Sequence, residues 1–149
     1  MRVSKLRQRK FYDVRYSVLT RALNKLSNVP MVFYDKRLID LTMHPVGQKK
    51  VSSVLEIGAG QGTDAILLSE NCHSVVAVDI SSAALATARI LSQRNKVNDN
   101  VSLVRADAEH LPLREEVFDF VFCKDVLHHV TNSVLAVQEM KRVARNKAS

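Results

Sequence analysis

Tryptophan is absent from the 149-residue sequence, and cysteine occurs only at Cys72 and Cys123. The two cysteines are far apart in the chain and lie in apolar segments, which favours reduced, buried thiols over a disulfide or a metal site. Long apolar runs are also missing: none approaches the roughly 18 to 20 residues that cross a bilayer, and the N-terminus lacks the apolar stretch of a secretory signal. We therefore expect a soluble, cytoplasmic protein with no transmembrane segment and no metal site.

Acidic residues are scarce in the first third of the chain. Residues 1–50 contain 12 Lys and Arg against only Asp13, Asp35 and Asp40, so this third carries a charge of +9, whereas residues 51–149 carry −2. Such a segment is typical of contact with an anionic partner, such as RNA, a phospholipid surface or an acidic small substrate. A solvated helical face is one alternative, and an Arg-rich mitochondrial targeting segment is another.

Hydrophobic spacing changes its character near residue 50. Over Ser4–Ser27, apolar residues recur every three to five positions with basic residues between them, which predicts one amphipathic helix, and a second helix is predicted over Val32–Met43. After residue 50, short β-branched runs alternate with helical patterns, which predicts a mostly parallel sheet covered on both faces. The predicted organisation is thus a basic helical arm at 1–50 and an α/β, doubly wound domain at 51–149. Its strands are predicted at Val51–Ile57, Ser74–Ile80, Val101–Arg105 and Val117–Cys123, and its helices at Thr63–Ser69, Ser82–Arg94 (capped by Ser81) and Ser133–Ala144.

A glycine-rich turn follows the first predicted strand, in the sequence Glu56-Ile57-Gly58-Ala59-Gly60-Gln61-Gly62. Glycine lets the backbone turn sharply and approach a ligand where a Cβ would collide, and the helix N-terminus that follows favours a polar or anionic group. A dinucleotide site requires G-x-G-x-x-G, but Thr63 stands where the third glycine of that pattern belongs. Glu56, two residues before the first glycine, is instead placed to receive an ammonium group. The pattern therefore indicates an amino acid joined to a nucleoside rather than a pyrophosphate.

Carboxylates also follow the next two predicted strands. Asp79 ends the second strand about 20 residues beyond the glycine turn, where an acid can accept hydrogen bonds from both ribose hydroxyls. Asp107 follows the third strand and is placed to accept a hydrogen bond from an adenine amino group, with the backbone of Ala108 near the ring edge. Since the carboxyl ends of parallel strands meet, these groups converge on one crevice. Two alternatives are open: Asp79 as a cap of the next helix and Asp107 as a turn former.

The stretches LEIGAGQGT, AVDIS, RADAEHLPL and FDFVFCKDVLHHV, in that order, resemble those of the class I S-adenosylmethionine-dependent methyltransferases. The resemblance covers about Val51 to Val143 and implies a Rossmann-like half-sheet with strand order 3-2-1-4. It implies S-adenosyl-L-methionine as cofactor and methyl transfer to an unidentified small-molecule or RNA acceptor. By this resemblance, the glutamate and glycines of the turn would bind the methionine part of the cofactor. The acid that ends the second strand would bind the ribose, and the segment after the third strand would contact adenine. The implied cofactor-binding residues are Glu56, Gly58, Ala59, Gly60, Gly62, Asp79, Ile80, Asp107, Ala108 and Lys124.

No catalytic residue can be assigned from the sequence. A sulfonium is already an activated methyl donor, so the protein has mainly to align the acceptor and exclude water. His128 and His129 suggest a general base, but such pairs accompany unlike substrates in the family. For Lys124, a solvated pair with Asp125 is the alternative to a place beside the cofactor. Aromatic residues of the arm are predicted either to wall the pocket or to pack in the core: Tyr12, Tyr16, Phe33 and Tyr34.

Members of the family continue, after the segment that ends this chain, with a fifth strand and an antiparallel hairpin. The fourth strand is therefore predicted to form an exposed apolar edge that contains Phe118, Phe120 and Phe122, which is an aggregation hazard. Three interpretations are open: a fragment of a longer protein, a short form whose edge is covered by a partner such as a second copy, and a non-catalytic binding or partner module. Coverage of the edge by the N-terminal arm is a further alternative.

Overall fold

The computed structural model describes residues 5–25, with side chains as far as Ser17, and residues 51–145. The predicted helix over Val32–Met43 lies outside these residues. The observed elements agree with the prediction to within three residues at each end, and the largest difference is the late start of the fourth strand. The elements are α1 (Lys5–Lys25), β1 (Val51–Ile57), α2 (Thr63–Ser69), β2 (Cys72–Asp79), α3 (Ser82–Arg94), β3 (Val101–Arg105), β4 (Phe120–Cys123) and α4 (Ser133–Val143).

The four strands form one parallel sheet with the order β3-β2-β1-β4. In register, Leu55 of β1 lies between Val76 of β2 and Val121 of β4. This confirms the predicted fold class and strand order. Because all strands run in one direction, their carboxyl ends meet at the same edge, and the turns that follow them lie side by side.

The core has two layers, one on each face of the sheet. Val54 and Val75 face one layer together with Leu68 of α2. Leu55 and its neighbours on the opposite face pack with Phe118 and with Val143 of α4. Val54, Leu55, Val75 and Val143 are all completely buried, as strands covered on both faces require. Burial on both faces accounts for the continuous apolar run Val75-Val76-Ala77-Val78 in β2.

The edge of the sheet differs from the prediction at Phe118. This residue lies before β4 and is only 4% exposed, so the expectation that it belongs to an exposed edge is wrong. Its N–H donates to the Val143 carbonyl at 3.1 Å, and its ring packs in the core layer that α4 covers. Phe120 and Phe122, which are on β4 itself, are half-buried and stack with their ring centroids 5.8 Å apart.

Helix α1, the described part of the basic arm, packs against α3 rather than along β4. Asp13 joins the two helices, since its Oδ1 accepts a hydrogen bond from the Ser81 hydroxyl at 2.7 Å. Ser81 also caps α3 as predicted, because its side chain accepts from the Ala84 N–H at 3.1 Å. Helix α1 therefore crosses the end of the sheet at which the strands terminate.

Cys72 is buried and Cys123 is half-buried, and neither forms a disulfide. Burial raises the pKa of both thiols above the usual value, so both stay protonated at neutral pH. Within residues 5–25 and 51–145, no group of three or more His, Cys, Asp or Glu is arranged to hold a metal ion. No helix in the same residues combines the length and apolar character needed to cross a membrane.

Candidate functional site

A cavity of about 600 Å³ lies at the carboxyl ends of the four strands, with α1 as its outer wall. Nine of the ten residues that the sequence assigned to a cofactor line this cavity: Glu56, Gly58, Ala59, Gly60, Asp79, Ile80, Asp107, Ala108 and Lys124. Gly62 does not, because it is the N-cap of α2 and faces α3. The fold thus brings together groups from four separate segments of the chain.

The glycine turn is shaped by contacts within the protein as well as by the cavity. Gly58 and Gly62 both have φ of +77°, a conformation that other residues adopt only with strain. A Cβ on Gly58 would lie 2.0 Å from Cγ2 of Val126, and one on Gly62 would lie 2.8 Å from Cβ of Ala88. Because Gly58 has no side chain, the segment after β4 can pack against it. Because Gly62 has none, α2 and α3 can pack closely.

Glu56 is the penultimate residue of β1, lines the cavity and is 3% exposed. Burial, followed by repulsion from Asp64, raises the pKa of Glu56 well above its usual range, and Lys124 only partly opposes this. The carboxylate accepts a hydrogen bond from the Ala65 N–H, but its Oε2 atom has no partner among the described residues. A buried, unpaired acceptor in a cavity wall is a place for a donor from a ligand.

Lys124 directly follows β4 and pairs with the carboxylate of Asp64, whose side chain is 7% exposed. The predicted alternative, a solvated pair with Asp125, is therefore wrong. Asp125 instead adopts a φ of +56° in the tight turn after β4. Lys124 thus pairs with one buried acid, Asp64, and its charge also acts on a second, Glu56.

Asp79 ends β2 and holds the glycine turn in place. Its two carboxylate oxygens accept hydrogen bonds from the N–H groups of Gly60 and Ser81, each at 2.8 Å. Burial raises the pKa of Asp79, although these backbone hydrogen bonds oppose the shift. The capping role that was the alternative for Asp79 is filled by Ser81, and Asp79 only accepts from the N–H of that residue. Each carboxylate oxygen retains an acceptor site, so Asp79 can also bind hydroxyl groups that enter the cavity.

Asp107 and Glu109, after β3, are both engaged by α1. Lys5 contacts the carboxylate of Asp107 and lies 3.0 Å from Oε2 of Glu109. Asp107 also accepts a hydrogen bond from the Glu109 N–H at 3.0 Å, which is the turn-forming role that the sequence left open. Glu109 binds the N–H groups of Thr131 and Asn132 at 2.7 and 3.0 Å and so anchors the start of α4.

Helix α1 supplies the outer wall of the cavity through residues on one helical face: Lys5, Gln8, Tyr12, Arg15 and Tyr16. Tyr12 and Tyr16 stack with their ring centroids 6.4 Å apart, in the wall position predicted for them. Phe33 and Tyr34 lie outside the described residues. Burial raises the pKa of both stacked tyrosines, so they remain hydrogen-bond donors at neutral pH. Gln8 was not among the residues predicted for the cavity, although its spacing from Lys5 and Tyr12 places it on the same face of the helix.

His129 is the member of the histidine pair that lines the cavity. Its ring contacts that of Tyr12 edge-on with centroids 5.7 Å apart and lies 3.8 Å from the ring of His128. Burial, and then the adjacent His128, lower the pKa of His129, so its imidazole is neutral at pH 7. Gln8 donates a hydrogen bond to the His129 carbonyl and so attaches this turn to α1.

Sheet order and cavity together define a class. A parallel sheet with a glycine turn after its first strand and a carboxylate near the carboxyl end of each of its first three strands is a Rossmann-like arrangement. A family model described as a methyltransferase domain matches residues 55–148, well over half of the chain. The chain therefore belongs to the methyltransferase domain family.

Individual relatives agree with this assignment. Over 92 residues the chain is 33% identical to the uncharacterised methyltransferase YcgJ of Bacillus subtilis (strain 168), covering 62% of this chain and 36% of YcgJ. The crystal structure of YcgJ superposes with a TM-score of 0.68 at 28% identity, covering 73% of this chain and 46% of that one. The ubiquinone/menaquinone biosynthesis C-methyltransferase UbiE of Haemophilus ducreyi is 32% identical over 102 residues, which are 66% of this chain and 39% of UbiE.

A more distant structure, a SAM-dependent methyltransferase from Aquifex aeolicus, shares the fold with a TM-score of 0.66 at 22% identity, covering 85% of this chain and 67% of that one. The chain spans about a third to a half of the length of the curated relatives that it matches.

Proposed function

We propose that this chain binds S-adenosyl-L-methionine in the cavity at the ends of the strands and supplies the cofactor-binding half of a methyltransferase. The observation that carries the proposal is Glu56, a buried acid whose Oε2 atom lacks a partner among the described residues, in the lining of a cavity that two further strand-end acids also reach. The family assignment independently supports a methyl donor rather than a nicotinamide cofactor.

The residues present fit the parts of this cofactor. Glu56 would receive the ammonium group, because a cation there satisfies the buried acceptor and favours the charged form of the carboxylate. Asp79 would accept hydrogen bonds from the ribose hydroxyls, and Ile80, Asp107 and Ala108 would contact adenine. The proposed set is completed by Lys124 near the amino-acid end and by the glycine turn: Gly58, Ala59, Gly60 and Gly62.

When bound, the cofactor supplies an activated methyl group, so the chain itself needs mainly to orient the acceptor and exclude water. Helix α1 contributes to both, since Tyr12 and Tyr16 close the outer side of the cavity. An acceptor that approaches between α1 and the turn after β4 would also meet His129. Because its imidazole is neutral, His129 can take a proton from an acceptor that must lose one.

The direct test is calorimetric titration of the whole chain with S-adenosylmethionine, S-adenosylhomocysteine and NAD. We expect binding of the first two and none of NAD. Asp79→Asn should weaken binding by about tenfold to a hundredfold, because hydrogen bonds to a charged group contribute about 1.5–3 kcal/mol. Asp99→Asn, an exposed carboxylate before β3 at the opposite end of the sheet, should bind like the unaltered chain.

Two results would contradict the proposal: binding of NAD without S-adenosylmethionine, or unchanged affinity in the Asp79 variant. Methyl transfer is tested separately by incubating the chain with cofactor labelled on the methyl group and cell extract, then measuring label in the products. Labelled product that depends on Glu56 supports an enzyme. Cofactor binding without labelled product would instead indicate a binding module.

A further inference from the structure

Helix α1 has two unlike faces. One face lines the cavity, whereas Leu6, Phe11 and Val14 are exposed to solvent, with 58%, 61% and 68% of their surfaces accessible. Moving apolar side chains of this size out of water lowers the free energy. Three of them on one described helix therefore form an apolar surface that no described residue covers.

Cations surround this apolar surface. Arg7, Lys10 and Arg15 are exposed and, with Phe11 and Val14, line a shallow recess on the helix. We call these residues the outer surface of α1: Leu6, Arg7, Lys10, Phe11 and Val14. Arg15 lies at the border between this surface and the face that lines the cavity. Exposed cations can contact lipid phosphates, and exposed aliphatic and aromatic side chains can enter the apolar boundary beneath them, which are the two contributions that hold a helix at a membrane interface.

Among the described residues, the exposed side chains of α1 and α3 include no carboxylate. The single acidic residue of α1, Asp13, is turned toward α3, where it binds the Ser81 hydroxyl and the Ala83 N–H. The neighbouring helix α3 contains no acidic residue and exposes Arg89 and Arg94. An anionic surface that approaches α1 therefore meets positive charge on both helices.

We propose that the outer surface of α1 docks on an anionic phospholipid bilayer, with the helix lying in the plane of the headgroups. Attraction to the lipid phosphates would come from Lys10 and the arginines, and the apolar side chains would enter the boundary between headgroups and acyl chains. RNA fits less well, because phosphates and sugars offer nothing to exposed Leu6 and Val14, which require an apolar environment. The inference stands independently of the identity of the ligand in the cavity.

Vesicle flotation of the full chain tests the inference. We expect the chain to bind vesicles of phosphatidylcholine mixed with phosphatidylglycerol and to bind vesicles of phosphatidylcholine alone much more weakly. Lys10→Glu should lower the partition coefficient by at least about fivefold, the factor that one basic residue contributes near an anionic surface. Joint replacement of Phe11→Ser and Val14→Ser should lower it by about tenfold or more.

A matched control is Val134→Ser, since Val134 is 66% exposed on α4 and should not affect binding. Circular dichroism and thermal melting of each variant verify the fold, and Leu6→Ser replaces the double variant if that variant melts early. The inference is overturned if the unaltered chain ignores anionic vesicles, or if a folded Phe11 and Val14 variant binds them equally well. It is also overturned if the chain prefers poly(U) RNA to the vesicles and only the Lys10 variant changes that binding.

Discussion

Replacement of Gly58 by alanine tests how the glycine turn is built. The new Cβ would lie 2.0 Å from Cγ2 of Val126, in a residue whose φ is +77°. The left-handed conformation costs a non-glycine residue about 1–2 kcal/mol, and crowding in a packed site adds about 1–3 kcal/mol. We therefore expect Gly58→Ala to lower the free energy of unfolding by about 2–5 kcal/mol, a large share of the stability of a typical domain.

The two contributions can be separated by a second substitution. Val126→Ala removes the atoms that collide with the new Cβ but leaves the strained φ unchanged. Alone, it should cost about 1–2 kcal/mol through lost apolar contact. In the double variant, the crowding should be relieved, so we expect a favourable coupling of about 1–3 kcal/mol between the two sites.

Urea denaturation followed by circular dichroism, on the four members of this cycle, measures the coupling. Gly62→Ala is the matched control, because its Cβ would collide with Ala88 rather than with Val126. Combined with Val126→Ala, it should show additive effects. Additive effects in the Gly58 cycle itself would refute the explanation that Val126 requires a glycine at this position.

Two further predictions concern single side chains. Ser81→Ala removes the cap of α3 and the hydrogen bond that the Ser81 hydroxyl donates to Asp13, so it should lower the free energy of unfolding by about 1–2 kcal/mol. Replacement of the exposed Ser82 by alanine should change it by less than about 0.5 kcal/mol, and equal melting temperatures for the two variants would show that the cap contributes nothing. The pKa of Glu56 is raised above its usual 4.5, so the folded chain binds the carboxyl proton of Glu56 more firmly than the unfolded chain does. The stability that this protonation contributes therefore falls as the pH rises from 4.5 through the raised pKa. Glu56→Gln should remove this fall. Chemical denaturation at several pH values between mildly acidic and neutral measures the free energy of unfolding of both proteins. The same slope of that free energy against pH in both would contradict the reasoning.

Local patterns in the sequence predicted much of the fold and the positions of the strand-end acids. Alternation of β-branched runs with helical periods is a property of neighbouring residues, and it was sufficient to predict the parallel sheet. The glycines, Glu56, Asp79 and Asp107 could be predicted to converge because each lies at or near the carboxyl end of a strand, and parallel strands end at one edge. None of these inferences required knowledge of a contact between distant segments.

Only the tertiary structure decided how the segments meet. Lys5 contacts Asp107, 102 residues away in sequence, and this contact makes α1 a wall of the cavity. The pairing of Lys124 with Asp64 rather than with its neighbour Asp125 depends on the direction of the turn after β4. The burial of Phe118 likewise depends on how α4 packs on the sheet. Such contacts depend on the combined packing of several elements, and a one-dimensional pattern does not record which surfaces face each other.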